Sequence, residues 1–190
     1  MTNDSALELM KGKLLVATPA LREPTFAHTV IALLEHSPDD GALGVVLNRP
    51  TQAAVADVVP AVADLVTPPH VLFEGGPVSP TTAIALGLAA PGADPEGWLP
   101  IVPPLVTVDL DHDAALLGAT LRSLRVFAGY AGWSAGQLEG EIAEGAWYVV
   151  DGLPSDPFLE APERLRMSVL RRQGWPLAAA AYAPIDPSLN

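Results

Sequence analysis

The segment Gly132-Trp133-Ser134-Ala135-Gly136 spells G-x-S-x-G, the spacing with which a nucleophile elbow exposes a serine hydroxyl between a strand and a helix. Its flanks suit that context, since "RVFAGY" reads as a strand and "QLEGEIAEG" as a helix. A serine hydroxyl attacks only when a base takes its proton, and elbow hydrolases carry their acid and histidine after the serine. Here His28, His36, His70 and His112 all precede Ser134. A reading without catalysis uses more of the residues. Ser134 and Gln137 form S-x-x-Q, a capping box in which the serine hydroxyl accepts from the Gln137 N–H and the Gln137 side chain returns to the Ser134 N–H. Trp133 and Leu138 then have staple spacing, and Gly145 is a C-terminal stop. The capping reading leads, and a serine hydrolase using Ser134 is the alternative. Gly136 and Gly140 remain: inside a helix each costs about 1 kcal/mol relative to Ala, so close helix-to-strand packing is expected around them.

Other residues offer binding chemistry. Glu35-His36 is the best polar pair for a metal or an acid/base role. Strand neighbours point to opposite faces, however, so the two cannot easily share one ion, and standard metal-ligand spacings are absent. Gly75-Gly76-Pro77 after a strand reads as a tight turn, because Pro77 removes one of the N–H groups an anion would need. Asn48 precedes Arg49-Pro50 at a strand end, where residues often face ligands. Tyr130 and Trp133 carry polar tips on apolar bodies. "PERLRMSVLRRQG" gathers Arg164, Arg166, Arg171 and Arg172, four of the 10 basic residues. It reads as a solvated helix face or a docking face for an acidic partner. The candidate binding surface is Glu35, His36, Asn48, Gly75, Gly76, Tyr130, Trp133, Gln137 and Glu139, with no catalytic residue, no metal and no cofactor assigned.

The elements that must position these residues begin with strands. "GKLLVATPAL", "HTVIALLEH" and "LGVVLNRP" read as strands, the last two an antiparallel hairpin about "SPDDGA". "QAAVADVVPAVADLV" has helical spacing broken at Pro60. "HVLFEGGPV" and "TTAIALGLA" read as strands, and "IVPPLVTVDL" as extended around a proline pair. "DHDAALLGATLRSL" reads as a helix capped by Asp111 with Asp113 in its first turn. "AWYVV" is a strand, "PERLRMSVLRRQG" a helix, and "WPLAAAAYAPIDPSLN" a mostly extended tail. Strands come first, then strands alternating with short helices. That order favours an α+β domain with a mixed, largely antiparallel sheet.

Composition sets the bounds. A chain of 190 residues, 49% hydrophobic and 17% charged, suits one globular domain. The 20 prolines and 16 glycines argue for many turns. With no cysteine, thiol catalysis, disulfides and thiolate metal sites are excluded. The formal net charge of −12 opposes direct contact with nucleic acid or an anionic membrane. "MTNDSALELMKGK" lacks the features of a signal peptide, and a cytoplasmic location is expected.

Three blocks, "GKLLVATPALREPTFAHTVIALLEHSPDDGALGVVLNRP", "FEGGPVSP" and "GYAGWSAGQLEGEIAEGAWY", resemble the YqgE/AlgH family of bacterial proteins in content and order. All nine candidate surface residues fall on positions of that family's pattern, whereas the position of Ser134 is not held to serine. The resemblance implies an α+β fold with a strongly bent sheet resembling an incomplete barrel and helices around it. It supplies no catalytic residue to carry over. Some members are labelled transcriptional regulators, yet no helix-turn-helix is legible and the charge is wrong for direct DNA contact. The expectation is one domain over residues 1–190, with an arm over 1–10 and a tail over 183–190 lying peripherally. It binds a small molecule or a protein partner.

Overall fold

The computed structural model describes residues 10–93 and 97–182. Strand β1 (Lys13–Ala17) is an apolar run stopped before Thr18-Pro19, and β2 (Val30–Ser37) with β3 (Gly41–Val46) forms the expected hairpin. After β4 (Pro50–Ala54) comes a single turn of helix, α1 (Val55–Val58). Pro60, which has no N–H to continue it, begins a 3-10 turn over Pro60–Leu65. Next are β5 (Val71–Glu74), β6 (Val78–Ala89) and a hairpin of β7 (Leu99–Val102) and β8 (Leu105–Val108) that turns at Pro103-Pro104. Helix α2 (Ala114–Thr120) leads directly into β9 (Leu121–Trp133), followed by α3 (Gln137–Ala143) and β10 (Trp147–Asp151). Two 3-10 turns, Asp156–Phe158 and Pro162–Arg164, precede α4 (Leu165–Arg172) and a short α5 (Leu177–Ala180).

All ten described strands join one sheet, ordered β10-β1-β2-β3-β9-β6-β8-β7, with β4 on β5 and β5 on β9. Only the β5–β9 pair is parallel. The end strands β10 and β7 do not pair, so the sheet is an incomplete barrel, as expected. Its bend lies in β9. Residues Leu121 to Ala128 pair with β6, and Ala131 to Trp133 pair with β3. Between the two halves Gly129 has φ +72°, a left-handed conformation that favours glycine. Gly75 and Gly76 cross it there, backbone on backbone. A Cβ on Gly75 would collide with Gly129 O, and one on Gly76 with the Tyr130 backbone. Gly75 also ties the halves together: its N–H donates to Ala128 O at 2.9 Å and its carbonyl accepts from Val46 N at 2.8 Å. The Gly-Gly-Pro turn is therefore the joint of the sheet.

Three apolar clusters fill the molecule. One lies between the sheet and α4, with Leu14, Val45, Phe73, Phe127, Leu165 and Val169 buried together. A second gathers Val55, Val62, Leu117 and Val126 under α1 and α2. The third packs Leu15, Ile31, Trp133 and Trp147 beneath Leu138 of α3. Burial of this kind is the main favourable term in folding.

The structure changes four expectations. The helix expected over residues 111–124 ends at Thr120, and its N-cap is Asp113, whose side chain accepts from Ala115 N and Leu116 N. Leu121 to Leu124 are strand because β6 pairs with them, an instance of tertiary pairing overriding local propensity. The residues after Trp175 include α5 instead of being wholly extended. Met10, assigned to a peripheral arm, is buried with Leu15 and Trp133. Finally, Gly136 is the left-handed N-cap of α3 and Gly140 faces open space, so neither serves close packing. Residues 1–9 and 183–190, the remainder of the expected arm and tail, lie outside the described residues. Among the described residues no helix is long and apolar enough to cross a membrane.

Candidate functional site

Helix α3 packs against β3 and β10, and the candidate site is built from its residues outward. Leu138 is buried in the third cluster and anchors the helix. Gln137 and Glu141, one turn apart, are bonded Nε2 to Oε1 at 3.0 Å. Glu141 Oε2 accepts from both buried indoles, Trp133 Nε1 at 3.0 Å and Trp147 Nε1 at 2.8 Å. Phe26 packs against both rings, at centroid distances of 6.3 and 5.9 Å. Glu141 was not on the candidate list. Its spacing of six residues before Trp147 and eight after Trp133 gave no periodic signal, since the indoles meet only after β9 and β10 are placed.

The Ser134 hydroxyl is engaged in a turn at the start of α3. It is directed at Gln137 Oε1, 3.3 Å away, and the Ser134 backbone N–H donates to the same oxygen at 3.1 Å. The capping box is thus half formed. The side-chain return from Gln137 is present, but the Gln137 N–H donates to the Ser134 carbonyl at 3.0 Å, not to the hydroxyl. A left-handed Gly136 (φ +75°) intervenes and moves the helix start to Gln137. Trp133 and Leu138 are buried in one cluster, but with the N-cap at Gly136 they no longer hold the N′ and N4 positions of a staple.

His36 faces α3. Its Nε2 lies 2.7 Å from Glu139 Oε1. A carboxylate only accepts, so Nε2 donates to it, and in a neutral ring Nδ1 is left as an acceptor. The side chain is 1% exposed, and Nδ1 is buried with no protein partner. The register of β2 on β3 shifts between Leu33 and Glu35, setting Glu35 opposite Leu43 and His36 opposite Ala42. Such a shift re-aims the side chains that follow it. Glu35 takes the other face, exposed and paired with Lys11 at 3.0 Å, so the two neighbours diverge as their strand positions implied. Glu35, His36, Ser37, Asp40 and Gly41 line an open hollow of about 330 Å³.

The nine candidate residues fall into three groups. His36, Trp133, Gln137 and Glu139 come together around α3, with Glu35 on the adjoining rim of the hollow. Gly75, Gly76 and Tyr130 form the sheet joint. Asn48 stands at the opposite end of β2, where its Oδ1 accepts from Val30 N at 2.9 Å and its Nδ2 donates to His28 O at 3.0 Å. It fastens two strand ends. No group of three or more His, Cys, Asp or Glu side chains that could hold a metal ion occurs among the described residues.

The arginine run also divides. Arg172 is held by both carboxylate oxygens of Asp156. Arg166 is half-buried and reaches Ala17 O at 3.4 Å. Burial pulls its pKa down, offset in part by Tyr148. Arg164 and Arg171 are exposed.

An open barrel with its joint at three glycines, and one helix clasped to it by a carboxylate shared between two indoles, defines the class: a single α+β domain with a polar site under the helix. The chain belongs to the AlgH-like family, whose model matches residues 14–178. It is 48% identical to a UPF0301 protein of Streptomyces avermitilis over the whole of both chains. It is 46% identical to one of Mycobacterium tuberculosis, covering 98% of this chain and 93% of that protein. Among solved structures it is similar to protein DIP2367 from Corynebacterium diphtheriae, with a TM-score of 0.83, 33% identity, and coverage of 95% and 99% of the two chains. It is also similar to the AlgH protein from Pseudomonas aeruginosa, with a TM-score of 0.70, 29% identity, and coverage of 97% and 98%.

Proposed function

We propose that the chain works by binding, and that the hollow beside α3 is where its ligand or partner docks. The observation that carries this reading is His36 Nδ1, buried without a protein partner and an acceptor in the neutral ring, with Glu139 at the opposite ring nitrogen. A buried acceptor left unpaired costs about 1–3 kcal/mol, which a donor entering the hollow would recover. Asp40 on the same lining favours a donor that is also positively charged, and the net charge of −12 adds long-range attraction for such a group. The ligand class is an ammonium or guanidinium group, free or on a protein partner. Ser134 bonds to Gln137, and His36 Nε2 is engaged by Glu139, so this geometry supports binding over hydrolysis. Cytoplasmic residence fits the reading.

The test is thermal shift with agmatine, which carries both cationic groups, and butanoate as an anionic control. At a hundred times its Kd a ligand stabilises by about 2.7 kcal/mol, a rise of roughly 5–11 °C in Tm for a chain of this size. Agmatine is expected to give such a rise with the native chain, none with His36→Asn, and butanoate none with either. Equal shifts in native and His36→Asn protein, or a larger shift with butanoate, would remove the hollow as the site.

A further inference from the structure

A second concavity, about 1050 Å³, runs between α4 with its preceding turns and the end of the sheet where Leu88 of β6 faces Ser123 of β9. Leu88, Leu153, Leu159 and Met167 give it apolar walls, and Arg164 and Arg171 stand on its lining. Neither arginine has a carboxylate within ion-pair distance among the described residues. The carboxylate of Asp156 is already taken by Arg172. Glu160, also on the lining, is the one acidic side chain there without such a partner.

Arg125 lies just beyond the floor. On β9 Ser123, Arg125 and Phe127 share a face by strand alternation, and the register puts Arg125 opposite Leu86, two pairs inward from Ser123 and Leu88. Its side chain is 0% exposed. One N–H donates to Pro68 O at 2.8 Å, and the guanidinium sits 4.2 Å from the centroid of Phe73. Nε and Nη1 have no protein partner. Desolvation lowers its pKa to about 10, opposed by the charge of Glu160. A cation buried without an adjacent counter-charge is strongly unfavourable, and an apolar side chain of similar length would fill the same space. The charge is therefore what needs a reason, and the groove supplies one.

We propose that this groove is a second binding site, separate from the hollow at His36, for an organic anion carrying a carboxylate or phosphate head on an apolar body. The body lies along Leu88, Leu159 and Met167. The head meets Arg164 and Arg171, whose planar guanidinium groups suit either oxyanion. Arg125 adds its field through a dry floor, where charge acts over longer range than in water. Glu160 is the counter-charge that a bound head group replaces.

The experiment is calorimetric titration of the whole chain with octanoate and octyl phosphate, each below its micelle concentration, and with 1-octanol as the neutral control. Both anions are expected to saturate one site, with octanol at least tenfold weaker. If only one anion binds, that identifies the head group. Arg125→Met is expected to weaken anion binding tenfold or more and to leave octanol unchanged. Glu160→Gln, an exposed position, is expected to tighten the anions severalfold, and it decides the matter if Arg125→Met fails to fold. Octanol binding as tightly as the anions, unchanged anion affinity in folded Arg125→Met, or no tightening in Glu160→Gln would each overturn the proposal.

Discussion

Trp133 and Trp147 donate their indole N–H groups to the same oxygen, Glu141 Oε2, at 3.0 and 2.8 Å. The two rings meet edge to face at a centroid distance of 6.2 Å, so one carboxylate closes α3 over the ends of β9 and β10. Removing that acceptor strands two donors in an apolar cluster, at about 1–3 kcal/mol each. Glu141→Ala is therefore expected to lose about 2–4 kcal/mol in urea denaturation followed by tryptophan fluorescence. Glu141→Gln, which keeps an acceptor oxygen, should lose about 1 kcal/mol. Equal losses in the two variants would show that packing, not the acceptor, matters at this position.

Ser134 offers a control on the hydrolase alternative. It is exposed, and its hydroxyl contributes one bond to Gln137 at 3.3 Å while the backbone bonds of the turn do not depend on it. Ser134→Ala is expected to change stability by no more than about 0.5 kcal/mol, as exposed substitutions commonly do. The native protein should resist labelling by a fluorophosphonate reagent. Stoichiometric labelling that Ser134→Ala abolishes would restore the nucleophile.

Arg125 yields a pH dependence with a definite sign. Its folded pKa, about 10, lies below the ordinary arginine value. Between those values the unfolded chain binds more protons, so stability contributed at this position rises as pH rises. Replacing it with Met removes that linkage and also leaves Pro68 O without its donor. The stability of native protein relative to Arg125→Met is expected to increase between pH 8 and pH 11, read as the difference between two urea curves. A flat difference would mean that the guanidinium pays no desolvation cost.

The joint at Gly129 is the place where one added methyl should do most harm. A Cβ there would press on Gly76 O, 2.5 Å away, in a residue with φ +72°. Gly140 lies instead inside helix α3, and a Cβ on it meets nothing within 4 Å. Gly129→Ala is expected to lose more than 2 kcal/mol or to fail to fold, while Gly140→Ala gains about 0.5–1 kcal/mol from helix propensity and reduced chain entropy. Similar melting temperatures for the two variants would contradict the joint.

Much of the fold was legible because most elements announce themselves locally. Pro19 and Pro60 mark where elements stop, and Gly145 the end of α3, whereas the proline pair at 103–104, which reads as extended, is the turn of a hairpin. The boundary at Leu121 was not legible: "ATLRSL" carries a helical pattern that is overruled by pairing with β6. The site was read only in part. His36 and Glu139 were both named, but their meeting needs the register shift in β2, which no spacing reveals. Gly75-Gly76-Pro77 reads as a tight turn and is one, but the backbone crossing at Gly129 that demands glycine there is set by tertiary pairing and leaves no local signal. Arg125 was invisible because both faces of β9 are buried, and an arginine within "RVFAGY" reads as the polar position of a half-exposed strand.

The most direct measurement is a ¹⁵N correlation spectrum of the His36 ring during titration with agmatine. With Nε2 bonded to Glu139, the free protein should show a protonated Nε2 and an unprotonated Nδ1. Saturating ligand should then shift the Nδ1 resonance while Nε2 stays protonated, and His36→Asn should bind no agmatine. An Nδ1 resonance that does not move at saturation, or binding that survives in His36→Asn, would contradict the assignment of the hollow as the binding site.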